Sequence, residues 1–497
     1  MESNDYNEQN LSEQETIRLE KMNNLQEMGI EPFGDKFVPL NRSKSLKNEF
    51  SAFSRDELND KKIPVSVAGR IMTKRSKGKT GFAHIQDSEG QIQIYVRKDL
   101  LSELEFEVFN RSDIGDIIGV EGDMFMTEAG ELSVKARTLC HITKALKPLP
   151  EKYHGITNDD IRLRRRYLDI IMNEDVKELF IKKQLFWSTI RTFLLEKGFL
   201  EVETPVLEVV SGGAAATPFK THHNALDMDV YLRISMGELW QKKLLVAGYE
   251  KTFEIGRQFR NEGMSFEHLQ DYTQMEFYWA YADCKDGMEI VTDMYRKATL
   301  AVCGSLTFSS RGFEIDMGKD WVIYDFETVI KENTGIGIYD ASIEELRDKL
   351  DSLKIPHDKK LNFWRLVDIL WKLVRKDLAG PGFLVGQPVQ LNPLPKRLKT
   401  DPRKVDQIQV IIAGSEMGNG YSELNDPLDL EKRFKEQRSM SDAGDAEAHN
   451  HDDDFIEALK YGMPPAFGFG VSERLFSVIV DKPMRECVLF PLMKPER

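Results

Sequence analysis

The spacing of apolar positions changes period several times along the chain. Residues 11–29 are spaced as a helix that stops at Gly29. From about residue 64 the pattern turns to alternation. "VSVAGRIM" alternates, and "GFAHIQDSEGQIQIYVR" reads as a hairpin turning around Asp87–Gly90. "DIIGVEGDMFMT" and "ELSVKARTLCHIT" carry strand-like pattern to about residue 143. Short strands in close succession, with glycine at the bends, predict a small closed β-barrel. "KPLPEKYHG" (147–155) is punctuated by proline and predicts a linker.

A helical period then returns. Val176, Leu179, Phe180, Phe186, Trp187, Ile190, Phe193 and Leu194 fall on one face of a long helix that stops near Gly198. "FLEVETPVL" follows as a strand ending at Pro205. The stretch "FRNEGMSFEHLQDYTQMEFYWAYAD" (259–283) reads as two strands joined by a loop. Within it Tyr272, Gln274, Glu276 and Tyr278 alternate with Thr273, Met275, Phe277 and Trp279. A period of two sends one polar row and one apolar row to opposite faces. Arg260 and Glu262, two apart, fall on one face of the incoming strand. Helical and strand segments alternate irregularly from there to the end, which predicts a large α+β domain on a mainly antiparallel sheet. The organisation is then a helical extension over 1–62, the barrel over 63–147, a linker over 148–160 and the large domain over 161–497, with a helical insertion at about 340–385.

Composition narrows the class. A chain of 497 residues is too long for one ordinary core. Hydrophobic content of 41% with 30% charged residues describes a soluble globular protein. No apolar run reaches the roughly 20 residues a membrane span needs, and the polar, acidic N-terminal stretch has no secretory core. Cys140, Cys284, Cys303 and Cys487 lie far apart with no CxxC pair, which implies a reducing compartment and neither zinc nor a disulfide framework. The net charge of −14 argues against a general nucleic-acid binder. "TKRSKGK" (73–79) and "RLRRR" (162–166) are locally basic, and read either as solvated faces or as a selective nucleic-acid contact.

Few segments carry chemistry on their own. Gly78-Lys79-Thr80 imitates the end of a phosphate-binding loop, but Thr73 stands where the first glycine is required. His449 and His451 beside residues 452–454 read as an exposed acidic loop, since nothing nearby completes a tetrahedral set. "GSEMGNGYSELND" (414–426) sets Glu416, Asn419 and Glu423 among glycines that let a ligand approach the backbone. Alone it reads equally as a turn with satisfied carboxylates. "GFGVSER" ends in Arg474 at the start of the apolar run "LFSVIV", from where an arginine can reach an anion.

Their order is decisive. "GFLEVETP", "FRNEG…HLQDYTQME", "GSEMGNGYSELND" and "GFGVSERL" together resemble the three signature motifs of class II aminoacyl-tRNA synthetases with their intervening acidic strand. "SGGAAATPFKTHHNALDMDVYLRIS" and "GNGYSELNDP" resemble the lysyl-tRNA synthetase family within the lysine, aspartate and asparagine subclass. The resemblance spans roughly residues 15–495. It implies an anticodon-binding OB-fold barrel over 63–147 and a class II catalytic domain over 161–497. It implies ATP-dependent ligation of L-lysine to tRNA(Lys) through a lysyl-adenylate, a homodimer formed through the 176–205 segment, a cytoplasmic location and no membrane.

By the same resemblance Arg260 bridges the amino-acid carboxylate and the α-phosphate, and Arg474 sits on the γ-phosphate side. Glu262, His268 and Glu416 contact ATP, and Tyr272 stands where a ring stacks on adenine. Glu423, Glu276 and Tyr278 hold the ε-ammonium, Glu238 and the Gly213 carbonyl hold the α-amino group, and Asn419 helps with the carboxylate. Phe82 stacks on an anticodon uridine and Gln93 hydrogen-bonds it. Mg²⁺ is expected at Glu416, with Gln409 at the position where the family usually has a second glutamate. The chemistry agrees: a buried ammonium needs anions, whereas an aspartate pocket needs cations. The chain departs from the common pattern elsewhere too. Phe266-Glu267 stands where an arginine often precedes the motif 2 histidine, "RISMGELWQ" is one residue longer and "GFGVSER" one shorter. Two alternatives remain at this level: an aspartyl- or asparaginyl-tRNA synthetase, and a tRNA-binding paralogue without catalysis.

Overall fold

In the computed structural model the alternating segment from residue 64 curls into a closed barrel. The structure describes residues 12–150, 159–210, 216–358, 360–392, 394–442 and 452–495, and the chain divides into two units, residues 1–174 and 175–497. Strands β1 (Pro64–Lys77), β2 (Thr80–Gln86), β3 (Gln91–Arg97), β4 (Ile117–Met126) and β5 (Leu132–Thr143) close in the order β1-β2-β3-β5-β4. Only β3 and β5 pair in parallel. Alternation puts Val67, Ile85, Ile94, Val120 and Val134 inside. β4 and β5 slip register at Glu121/Gly122, and a Cβ on Gly122 would stand 2.1 Å from the Lys135 carbonyl, so the closure needs glycine there.

Helix α1 (Glu103–Arg111) plugs one side of this core with Phe106 and Phe109, and starts in a reciprocal cap between Ser102 and Glu105. The helix expected over 11–29 runs Glu13–Glu27, capped by Ser12 and Glu15. Gly29 beyond it has φ 74°, the left-handed conformation that ends helices. Leu25, Leu46 and Leu58 from the extension enter the barrel core.

The second unit contains, among the described residues, an eight-stranded sheet. Its strands are β6 (Leu200–Glu201), β7 (Lys251–Phe259), β8 (Asp271–Ala280), β9 (Val322–Asp325), β10 (Gly382–Val385), β11 (Gln407–Ile412), β12 (Ser415–Ser422) and β13 (Ala466–Ser472). They lie in the order β9-β10-β11-β12-β13-β8-β7-β6, antiparallel except at the two outer pairs. One face is covered by α2 (Glu174–Glu196) and by a later helix, Cys284–Cys303. Phe186 and Ile190 of α2, with Met294 of the later helix, pack there on Met275, Phe277 and Phe469. This burial on one side leaves the polar row of β8 on the other, and the sheet becomes the floor of a site. Leu346, Leu366 and Leu370 of the helices over 326–374 form a further core with Leu384 of β10 and Ile411 of β11.

Two expectations need correction. "FLEVETPVL" does not form one strand: only Leu200–Glu201 joins the sheet. Pro205 has no N–H to donate, and the Thr204 N–H and hydroxyl go to the Glu254 carboxylate, at 3.2 and 2.7 Å. Arg260 and Glu262 do not lie on a strand either. The β7–β8 ladder ends at Phe259 opposite Asp271, so both sit on the connecting loop.

Candidate active site

Gln274, Glu276 and Tyr278 share the open face of β8. The Glu276 carboxylate accepts from the Met236 N–H at 3.0 Å, the Gln274 amide at 2.6 Å and the Tyr278 hydroxyl at 2.9 Å. Two strands away, Glu423 follows the end of β12 and is 2% exposed. It is not paired with Glu276. Its Oε2 lies 2.8 Å from Nζ of Lys242, and the same ammonium lies 2.8 Å from Oε1 of Glu238. Glu238 and Lys242 are one turn apart on α3 (Glu238–Val246), which stacks their side chains. The Tyr421 hydroxyl also donates to Glu238. The rings of Tyr278, Tyr421 and Phe455 stand 5.7, 5.5 and 5.9 Å from Nζ. Glu423 Oε1 is buried with no hydrogen-bond partner among the described residues. A Cβ on Gly468 would come within 2.2 Å of it, so glycine at 468 leaves that oxygen its room.

Three carboxyl groups therefore act on one another here, and the one ammonium, Lys242, pairs with two of them. The titration behaviour reflects this. Burial lowers a lysine, but Glu238 and Glu423 outweigh it and raise Lys242, which stays charged. Burial pushes the Glu423 carboxyl up to about 8, with Lys242 opposing and Glu238 and Glu276 adding. Burial and then Glu238 raise Glu276 as well. Tyr278 and Tyr421 are raised by burial and the surrounding carboxylates, so both remain donors. The sequence reading missed Lys242. In sequence, Glu238 and Lys242 look like any solvent-exposed i,i+4 pair, and only the arrival of Glu423 from β12 makes the pair a buried one. Gly213 lies outside the described residues, as do His449 and His451 and most of the linker.

The other half of the site is cationic. The Arg260 N–H donates to the Gln270 carbonyl at 2.7 Å, and its guanidinium lies over the Tyr272 ring, 5.9 Å from the centroid. Tyr272 is 8% exposed and packs on Leu269 and Met484. Glu262 accepts the Thr217 N–H at 3.1 Å, and His268 Nδ1 lies 2.7 Å from the Ser265 hydroxyl. Partial burial, then Arg474 and Arg260, hold His268 below its ordinary value. Arg474 opens the helix Arg474–Ile479, with Nη1 3.5 Å from the Glu416 carbonyl. Arg260 and Arg474 each keep a buried Nε–H with no partner among the described residues.

Glu416 reaches this face only through an irregularity. It stands three residues from Asn419, an odd spacing that simple alternation sends to opposite faces. The β11–β12 register shifts between Val410 and Ile411, leaving Met417 as an extra, bulged residue, so Glu416 pairs with Ile411 while Asn419 pairs with Gln409. The Glu416 carboxylate accepts from the Trp371 indole at 2.8 Å and lies 3.6 Å from Arg375. The Gln407 amide donates to Asn419 Oδ1 at 2.6 Å. As a cation site this face offers one carboxylate and the Gln409 amide. Among the described residues no three Asp, Glu, His or Cys side chains are arranged to hold a metal ion. The donor set suits a hard cation that takes most of its oxygens from a bound phosphate.

On the barrel, Phe82 is 37% exposed and sits on the outer wall rather than in the core. It stacks on Tyr95 with centroids 4.6 Å apart, and Tyr95 in turn lies 5.6 Å from Phe125. Gln93 lies two pairs along, on the same face, opposite His84. Its amide donates to Glu131 at 2.7 Å and accepts from the Ser133 hydroxyl at 2.9 Å.

With this geometry in place, similarity to known proteins is specific. Residues 158–494 match the family of tRNA synthetases class II (D, K and N). Residues 65–139 match the OB-fold nucleic acid binding domain. Lysine–tRNA ligases of Bacillus thuringiensis (strain Al Hakam), Bacillus cereus (strain AH187) and Bacillus anthracis are each 43% identical over 492 residues, covering 98% of this chain and 98% of each relative.

Proposed function

Because the chain belongs to the class II tRNA synthetases of the aspartate, lysine and asparagine group, and within it to the lysine–tRNA ligases, we propose that it joins L-lysine to tRNA(Lys) through a lysyl-adenylate held on the β8–β12 face. The observation that carries the choice of amino acid is the charge left over in the pocket. Three carboxyl groups around a single ammonium, walled by aromatic rings, leave two to take the two ammonium groups of lysine. An aspartate side chain there would add a further carboxyl group. Glu423 Oε1 and the Glu276–Tyr278 pair take the ε-ammonium. Glu238, with the Gly213 carbonyl, takes the α-amino group, and Asn419 orients the carboxylate.

The first step forms a bond between a lysine carboxylate oxygen and the α-phosphorus of ATP and breaks the bond to pyrophosphate. Two anions must meet, so fixed positive charge is needed where they approach. Arg260 and Arg474 supply it, each with a buried N–H that has no partner among the described residues. Guanidinium suits the task because it stays charged and binds oxyanions in pairs. Glu262 and His268 contact the nucleotide, and Tyr272 with the Arg260 guanidinium borders the base. Glu416 and the neutral Gln409 would hold a Mg²⁺ ion, which would supply positive charge at the phosphate oxygens. In the second step a terminal ribose hydroxyl of the tRNA attacks the adenylate carbonyl and AMP leaves.

The barrel reads the anticodon. Phe82, already stacked on Tyr95, offers its outer face to an unpaired uridine, and Gln93 sits beside it for the base edge. Phe82→Ala is expected to cost about 1–3 kcal/mol of tRNA binding while adenylate formation without tRNA stays unchanged. Loss of both activities together would rule out a base-stacking role. The enzyme works as a homodimer in the cytoplasm. Ile181, Leu200, Leu207 and Val209 leave an exposed apolar strip along 176–210 that suits a second copy. Among the described residues no helix is long and apolar enough to cross a membrane.

ATP–pyrophosphate exchange tests the assignment with each amino acid in turn. Exchange driven by lysine, and not by aspartate or asparagine, is the expected result. Exchange with aspartate or asparagine instead would overturn the substrate, and no exchange with any amino acid would leave a tRNA-binding paralogue.

A further inference from the structure

A third guanidinium points at the same place from an element that none of the signature motifs contains. The hairpin 307–316 turns through Arg311 (φ 52°) and Gly312 (φ 82°), a two-residue turn with both central residues in the left-handed region. That conformation is unfavourable for arginine. It is held from outside the hairpin: Asp481 accepts the Arg311 N–H at 3.0 Å and the Ser310 hydroxyl at 3.4 Å. The side chain is thereby aimed at the loop between β7 and β8. Its Nη1 bonds Glu267 and the Ser415 hydroxyl, and the guanidinium lies 5.2 Å from the Phe266 ring centroid. Glu267 also accepts from Ser415 at 2.5 Å. Arg311 Nη2 is buried and has no partner among the described residues.

An anchoring salt bridge between hairpin and loop is the plain explanation of Arg311–Glu267. It leaves the surrounding charge unexplained. Arg260, Arg311 and Arg474 each keep a buried N–H without a partner among the described residues, and Glu267 is the carboxylate that holds Arg311 and acts on Arg474 as well. Ser415, bonded to Arg311, directly precedes Glu416, whose carbonyl accepts from Arg474. Arg311 and Arg474 thus flank one end of β12. Glu416 is held by the Trp371 indole and lies near Arg375, and Glu262 accepts the Thr217 N–H, so three guanidiniums with donors to spare suit an anion with several oxygens, which describes the polyphosphate end of a nucleotide better than a nucleoside monophosphate.

We propose that Arg311 binds the outer phosphates of ATP, and that Glu267 is its counter-ion in the empty site, displaced by the incoming phosphate. This rests on the reading of Arg260 and Arg474 as the nucleotide's arginines. In this arrangement Glu267, at the position where the family resemblance implies an arginine, does not remove a cation from the site, because the hairpin supplies one from the other side.

The test compares ATP with AMP on the full-length protein by equilibrium binding, together with lysine-dependent pyrophosphate exchange. Arg311→Met should raise the ATP dissociation constant and the pyrophosphate KM about tenfold, the loss of one charge-assisted contact. AMP binding and the lysine KM should not move. The double variant Arg311→Met/Glu267→Gln removes the unpaired carboxylate that could unsettle the single variant, and should show the same selective loss with an unchanged thermal midpoint. Glu267→Gln alone should tighten ATP, since it removes the competing anion. An equal loss of ATP and AMP in the double variant, or no loss of either, would reduce Arg311 to a structural anchor. Failure of the unaltered protein to bind ATP at all would instead remove the reading of Arg260 and Arg474, and this proposal with it.

Discussion

Glu423→Gln is expected to raise the lysine KM on the order of 100-fold to 1,000-fold while the ATP KM stays within about twofold. The substitution keeps the shape of the side chain and removes one of three buried carboxylates. Lys242 then shares its charge with Glu238 alone, and the pocket falls one negative charge short of the two ammonium groups it must hold. Removing one partner of a buried, hydrogen-bonded charge pair costs about 3–5 kcal/mol, because the remaining charge is left uncompensated. Most of that cost should fall on the complex, since Lys242 retains Glu238 in the free enzyme. Glu276→Gln should follow in the same direction with a smaller loss, as the Tyr278 hydroxyl and the Met236 N–H stay in place. The two losses should not add, since both act on one ligand. Lysine-dependent pyrophosphate exchange measures all three variants. A normal lysine KM in Glu423→Gln, with the protein folded, would leave the family standing and refute this pocket.

Lysine affinity should rise with pH across the neutral range, with protons released as lysine binds. The sign follows from the direction of the shift. Burial pushes the Glu423 carboxyl up against the pull of Lys242, so in the free enzyme it holds its proton to higher pH than an ordinary carboxyl. The ammonium of lysine binds the ionised form, so binding must expel the proton, and the cost of expelling it grows as pH falls. The raised Glu276 works in the same direction. Titration calorimetry of lysine alone, in two buffers of different ionisation enthalpy, reads the released proton directly and avoids the titration of ATP. Identical heats in both buffers, with flat affinity from pH 6 to pH 8, would mean that the carboxylates are already ionised in the empty site. Glu423→Gln should lose most of the pH dependence along with the affinity.

How far the site could be read in advance depended on how local each feature is. The polar row Gln274, Glu276 and Tyr278 against Met275 and Phe277 was visible because a period of two is a property of the chain itself. The same holds for the barrel strands, for the apolar stripe of α2 and for Arg474 at a helix start. The order of the four motif segments carried the family, and with it the substrates.

What the chain by itself determined, then, was which segments alternate, which wind, and which residue types stand ready for a nucleotide and an amino acid. What only the tertiary structure decided was where those residues meet. The bulge at Met417 puts Glu416 on the face of Asn419 against the alternation of its own strand. The end of the ladder at Phe259 moves Arg260 from a strand to a loop. Lys242 becomes the partner of Glu423 across 181 residues of sequence, and Arg311 reaches Glu267 from a hairpin outside every motif. Each depends on packing between distant segments, where burial turns an ordinary surface charge into one that must be matched. No periodicity within a window of residues records that requirement.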